Sequence, residues 1–168
     1  MAERFSGAVL RPDDENAEVK RSLGEIGLNN FAPYLMNRLM ARYNANLAEE
    51  LKHMDMTTAK VRTLAVLSVT PSATINELSV FAVTEQSTMS RTLDSLEEQG
   101  YIRRQPRAED MRVRDVTITE EGRAAFAKVW PIMYDFLLQM FEGIGEDEHR
   151  AFVGTLQKIL RNVRKNEI

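Results

Sequence analysis

The 168-residue sequence predicts a mainly α-helical fold that carries one small β-hairpin. Three observations lead there. Apolar residues recur every three or four positions in long segments towards both ends, the period of an amphipathic helix. Between Tyr101 and Thr119 the pattern becomes two short runs rich in β-branched and aromatic residues, joined by a polar loop with Pro106. Finally, Ser22 with Glu25 and Thr74 with Glu77 have the spacing of capping boxes, in which each partner satisfies a backbone N–H at a helix start.

The elements follow in order. Residues 1–27 read as a polar arm with Pro12 and several acids, ending in a short helix begun by Ser22 and weakened by Gly24 and Gly27. Phe31, Leu35, Leu39, Tyr43, Leu47 and Leu51 then form one stripe of a long helix, widened by Met36 and Met40, with Pro33 in its first turn or at a kink. Thr57 and Thr58 offer caps for a second helix with Val61, Leu64 and Ala65 facing inward, ended by Thr70–Pro71. Thr74 opens a third helix that buries Leu78 and Phe81. Ala82–Val83 link it to Thr84, the expected cap of a fourth helix closed by Gly100.

Two antiparallel strands follow, with Val116 and Ile118 on one face and Arg112 and Arg114 continuing that row outward. Thr119 caps the next helix, which has acids Glu120 and Glu121 in its first turn. Its inward candidates are Phe126, Val129, Trp130, Met133, Phe136, Leu137 and Met140, and Pro131 is expected to kink it. The last helix starts at Glu146–Asp147–Glu148 and carries Phe152, Leu156, Ile159, Leu160 and Val163 on one side, with Arg161, Arg164 and Lys165 near its end.

Composition narrows the chemistry. Cysteine is absent, which removes disulfides, thiol nucleophiles and thiolate metal sites. The two histidines, His53 and His149, lack partners at ligand spacing. No Gly-rich phosphate loop or nucleophile–base pattern occurs, and the adjacent acids Glu97–Glu98 and Glu120–Glu121 diverge on a helix, so neither an enzyme nor a cofactor is expected. No apolar run is long enough to span a membrane and the N-terminal residues lack the apolar core of a signal peptide, so the cytoplasm is the expected compartment.

Three short helices followed by a hairpin make a winged helix-turn-helix, here flanked by long helices. Residues 57–119 are expected to be the DNA-binding region, and residues 28–56 with 120–168 the helical dimerisation region. On the fourth, reading helix, Met89, Leu93 and Leu96 point to the core, while Ser87, Arg91, Asp94 and Glu98 point away, flanked by Thr88 and Ser90. The hairpin concentrates Arg103, Arg104, Arg107, Arg112 and Arg114 beside only two acids, Glu109 and Asp110, in a chain of net charge −3. A local basic tip of this kind suits phosphates and the narrow minor groove. The competing reading is a solvated loop whose arginines pair with Glu109 and Asp110.

The stretch from Leu78 to Gly122 resembles the MarR family of bacterial transcriptional regulators. The matching pieces are "STMSRTLDSLEEQGYI", "RRQPRAEDMR" with its Asp-x-Arg at Asp110–Arg112, and "VTITEEGR". The resemblance runs from about Leu28 onward. It implies a homodimer on a pseudo-palindromic operator in double-stranded DNA, acting as a repressor released by a small, often aromatic effector. Carried over, Arg112 is the minor-groove arginine and Asp110 orients the wing. Ser87, Thr88, Ser90 and Arg91 contact the major groove and phosphates.

The sequence departs from the family at Asp94–Ser95, where relatives often place a basic residue, and the absence of cysteine excludes peroxide sensing. The helix "TTAKVRTLAVL" lacks the Gln or Trp often found near its start, which leaves the effector pocket undefined. Tyr34, Asn37 and His53 either face such a pocket or sit at an interface or surface. The alternative function is a winged helix that binds protein, for which exposed aromatics rather than an arginine-rich wing would be expected.

Overall fold

Amphipathic periodicity and capping chemistry set the helices of the structure, a computed structural model that describes residues 22–107 and 110–164. The expectations for the arm before Ser22, for Glu109 and for Lys165 lie outside the described residues. The chain forms two compact units, one ending at Asn46 and the other beginning at Leu47.

In the first unit the predicted capping box is present. The Ser22 amide donates to Glu25 Oε2 at 2.7 Å and the Glu25 amide to Ser22 Oγ, starting α1 (Leu23–Ile26). Gly27, at φ 72°, ends it, and a 3-10 turn over Leu28–Asn30 leads to α2 (Ala32–Leu51) with Pro33 in its first turn. Leu35, Leu39 and Met40 on α2 are exposed.

The second unit holds the last turn of α2, with Leu47 and Leu51 buried, and then α3 (Thr58–Val69). Thr57 Oγ1 caps α3 by accepting the Lys60 amide at 3.2 Å. A two-residue strand, β1 (Ala73–Thr74), precedes α4 (Ile75–Phe81), whose capping box closes with the Thr74 amide donating to Glu77 Oε2 at 2.6 Å. Next come α5 (Gln86–Glu98), β2 (Ile102–Pro106), β3 (Arg114–Ile118), α6 (Glu120–Met140) and α7 (Glu146–Val163). The antiparallel sheet has the order β1-β3-β2, with Ala73 opposite Val116 and Ile102 opposite Ile118. β1 is an addition to the predicted hairpin; two residues are too few to show a period.

α3 is the hub, packed on α4, α5, α6 and β3. Its Val61, Leu64 and Leu67 are buried, as are Leu78, Met89, Leu93, Leu96, Ile102, Val116 and Val129. Full burial of each such side chain contributes roughly 1.5–3 kcal/mol.

Several expectations are corrected. Thr84 does not cap α5. Its hydroxyl turns back to donate to the Ala82 carbonyl at 3.1 Å, and Glu85 occupies the cap position without a side-chain bond. Phe81 is 48% exposed rather than buried, because α4 ends there and one turn with Leu78 suffices to seat it. Arg112 lies in the turn before β3, whereas Arg114 does continue the Val116–Ile118 row. In α6, Val129 is fully buried, but Trp130 and Leu137 are exposed, and α7 buries none of its apolar stripe in the single chain.

Two backbone positions are tightly constrained. Val83, in the turn between α4 and α5, has φ 51° and is 78% exposed, a left-handed conformation that a β-branched residue adopts only with strain. Val83→Asn is expected to raise stability by about 1 kcal/mol, since asparagine tolerates this region. An unchanged or lower midpoint in chemical denaturation would show that the turn is unstrained. Gly122, in the first turn of α6, admits no side chain: an added Cβ would lie 2.1 Å from the Tyr101 carbonyl oxygen. Gly122→Ala should therefore cost about 3 kcal/mol by pushing α6 off the hairpin base, read in the same denaturation experiment.

Candidate nucleic-acid interface

α5 has a buried face and a solvent face, separated by its period. With Met89, Leu93 and Leu96 seated in the core, Ser87, Thr88 and Arg91 are left exposed near its N-terminus and Ser90 half-buried. Thr92 is buried and its hydroxyl donates to the Thr88 carbonyl at 2.9 Å, while Arg91 Nε reaches the Ser87 carbonyl at 3.4 Å. Gln86 Nε2 donates to Asn76 Oδ1 at 2.7 Å, tying the start of α5 to the start of α4.

The wing sorts its arginines by strand parity. Ile102 and Arg104 of β2 lie on the same face as Arg114, Val116 and Ile118 of β3, while Arg103 and Gln105 share the other face with Asp115 and Thr117. Arg104 points back to α5. Its Nη1 pairs with Asp94 Oδ1 at 2.8 Å, its Nε donates to Glu97 Oε2 at 2.8 Å and its backbone amide to Glu97 Oε1 at 3.1 Å. These bonds to Arg104 hold the Glu97 carboxyl below the usual carboxylate range, and Arg114 adds to the effect.

Arg107 Nε lies 3.1 Å from Asp115 Oδ2 and holds the Asp115 carboxyl below its ordinary value as well. The Arg107 amide also donates to the Val113 carbonyl at 2.8 Å, closing the loop. At the tip, Asp110 Oδ1 accepts the Arg112 amide at 3.0 Å. Arg103, Arg112 and Arg114 are exposed and form no ion pair among the described residues.

Among the described residues, Arg104 pairs with Asp94 and Glu97, and Arg107 with Asp115. Sequence reasoning gave these three acids no role in the wing, and it treated Asp94 as a departure from the family pattern. Asp94 and Glu97 are three apart on α5, one helical turn, and that spacing beside a nearby strand arginine is the signal that could have found them.

A separate, open apolar cavity of about 480 Å³ lies between α3 and α6, lined by Ala65, Ser68 and Val69 on one side and Arg123, Phe126, Ala127 and Trp130 on the other. His53, considered for a pocket, is not among the residues that line it. Among the described residues no cluster of His, Asp or Glu could hold a metal ion, and no helix is long and apolar enough to cross a membrane.

Fold and site together define a winged helix-turn-helix regulator. The MarR family model matches residues 56–113. A MarR-family transcriptional regulator from Silicibacter pomeroyi superimposes with a TM-score of 0.84 at 47% identity, covering 88% of this chain and 100% of that one. A second from the same organism gives 0.78 at 31% identity, over 86% of this chain and 96% of the other. The HTH-type transcriptional repressor IacR of Pseudomonas putida is 26% identical over 139 residues, 83% of each chain. The chain belongs to the MarR family of transcriptional regulators and is not an enzyme.

The ion pairs predict a pH dependence. Because the Glu97 and Asp115 carboxyls are lowered in the folded chain, the unfolded chain takes up protons first as pH falls. Their stabilisation is complete above the ordinary carboxylate range and disappears as pH falls through the lowered folded values. Between about pH 5 and pH 3, stability should fall less steeply in Glu97→Gln than in the parent. Parallel slopes in denaturation at a series of pH values would remove Glu97 from this role.

Proposed function

We propose that this regulator is a homodimeric repressor that reads a pseudo-palindromic operator and is released by a small apolar or aromatic effector. The observation that carries the reading is the tether from Asp94 and Glu97 to Arg104, which sets the wing at a fixed place relative to the exposed face of α5. A helix face and an arginine tip in fixed relation suit simultaneous contact with a major and an adjacent minor groove.

In this proposal Ser87, Thr88, Ser90 and Arg91 meet base edges and phosphates, Arg112 enters the minor groove, and Arg103 and Arg114 meet phosphates. Asp110 holds the tip through the Arg112 amide. Arg104 and Arg107 act as positioning residues, their guanidinium groups being engaged by carboxylates.

Dimerisation is supported by exposed apolar residues on the long helices: Trp130, Tyr134, Leu137 and Leu138 on α6, and Phe152, Leu160 and Val163 on α7. We assign residues 28–56 and 120–168 to that interface and 57–119 to DNA. The cavity between α3 and α6, with aromatic walls and Arg123, is the proposed effector site. Repression is the activity named for the IacR relative.

Genomic fragments retained by the purified chain at stated salt give the operator. Binding to it should weaken steeply with added salt. Arg112→Ala should lose about tenfold to a hundredfold in affinity. Retention of no duplex would favour a winged helix that binds protein, and parent affinity in Arg112→Ala would remove the wing from the interface. In sedimentation, Leu160→Glu should convert the dimer to monomer; a dimer unaffected by it would place the interface elsewhere.

A further inference from the structure

Lys60 is a charged side chain that the proposed interface does not use and that solvent hardly reaches. It lies in the first turn of α3 with 8% of its surface exposed. The position is doubly unfavourable for an ammonium group, which loses hydration and faces the positive end of the helix dipole. Among the described residues no carboxylate forms an ion pair with it.

Its Nζ donates instead to Gln99 Oε1 at 3.0 Å and to the Asp55 carbonyl oxygen at 3.4 Å. Gln99 Nε2 in turn donates to Asp55 Oδ2 at 2.9 Å, closing a ring that joins the distant Gln99 to the neighbouring Asp55 and Lys60. Gln99 is the C-cap of α5. Asp55 follows the 3-10 turn that ends α2 and is held at φ 53°.

We propose that Lys60, Gln99 and Asp55 form a polar clasp that fixes the angle of α5 against the last turn of α2, making Lys60 a positioning residue for DNA reading. The apolar seat of α5 under Met89, Leu93 and Leu96 is non-directional and tolerates small rotations. Directional bonds from a buried cation select one of them. The consequence for DNA rests on the reading of α5 given above; the clasp itself does not.

Two variants test it. Lys60→Met with Gln99→Leu replaces both ends by apolar groups of similar size, so the melting temperature, lowered in Lys60→Met alone, returns towards that of the parent. Asp55→Asn with Gln99→Glu exchanges amide and carboxylate and keeps the ring. The absence of native cysteine allows spin labels at Glu49→Cys on α2 and Ser87→Cys on α5, with labelled chains diluted in unlabelled ones.

The expected result is a distance distribution at least twice as wide in the apolar pair as in the parent, and parent width in the exchanged pair. In unlabelled chains, the apolar pair should bind the genomic duplex recovered above about tenfold more weakly. Parent width in the apolar pair, or a widened distribution in the exchanged pair, would overturn the clasp. A widened distribution with unchanged duplex affinity would overturn its role in DNA reading. A parent that binds no duplex would sink the DNA reading alone, since the distances still decide the clasp.

Discussion

The seat of α5 on α3 is the constraint from which the site follows. Met89, Leu93 and Leu96 recur at helical spacing, and once they are buried against α3, beside its Val61, Leu64 and Leu67, the helix period sets which residues face out, give or take a small rotation. Ser87, Thr88 and Arg91 reach solvent at one end of the helix because those three apolar side chains cannot. The same rotation brings Asp94 and Glu97 to the side where β2 leaves the end of α5, within reach of Arg104. A shift of one residue in that seat would bury Ser90 fully and turn both acids away from the wing.

Electrostatics then divides five arginines into two kinds. A hairpin carrying only positive charge would repel itself and would be loosely attached. Asp94, Glu97 and Asp115 neutralise Arg104 and Arg107, bind the wing to α5 and brace its two strands, with Glu77 nearby held in its ionised form by the Thr74 amide and hydroxyl. Arg103, Arg112 and Arg114 at the tip and edges are left exposed. The chain's negative net charge is thus compatible with a polyanionic partner, because part of the acid content serves to aim the basic groups.

Away from α5 and the wing, several large apolar residues of α6 and α7, among them Trp130, Leu138, Leu160 and Val163, are exposed in the single chain. Trp130 is 49% exposed although it sits in an aromatic row with Phe126 and Tyr134, with ring centres 6.2 and 6.0 Å apart. The periodicity of α7 is stronger than that of α5, yet α5 buries its stripe and α7 buries none of it. Helical period reports that a face is apolar and says nothing of which molecule covers it.

That distinction marks what the sequence determined by itself. Local rules made the helices legible: capping boxes at Ser22 and Thr74, the Thr119 cap, the Gly100 turn and the 3.6-residue stripe of α5 depend on neighbours a few positions away. The hairpin and its arginines were legible for the same reason. Tertiary structure alone decided the partners of those arginines, the two-residue strand at Ala73–Thr74, the position of the cavity on α3 and α6, and the exposure of Phe81 and Trp130. The arginine partners and the short strand depend on pairs that folding brings together, such as Arg104 with Asp94 or Ala73 with Val116, and a linear pattern carries no record of the packing that does so.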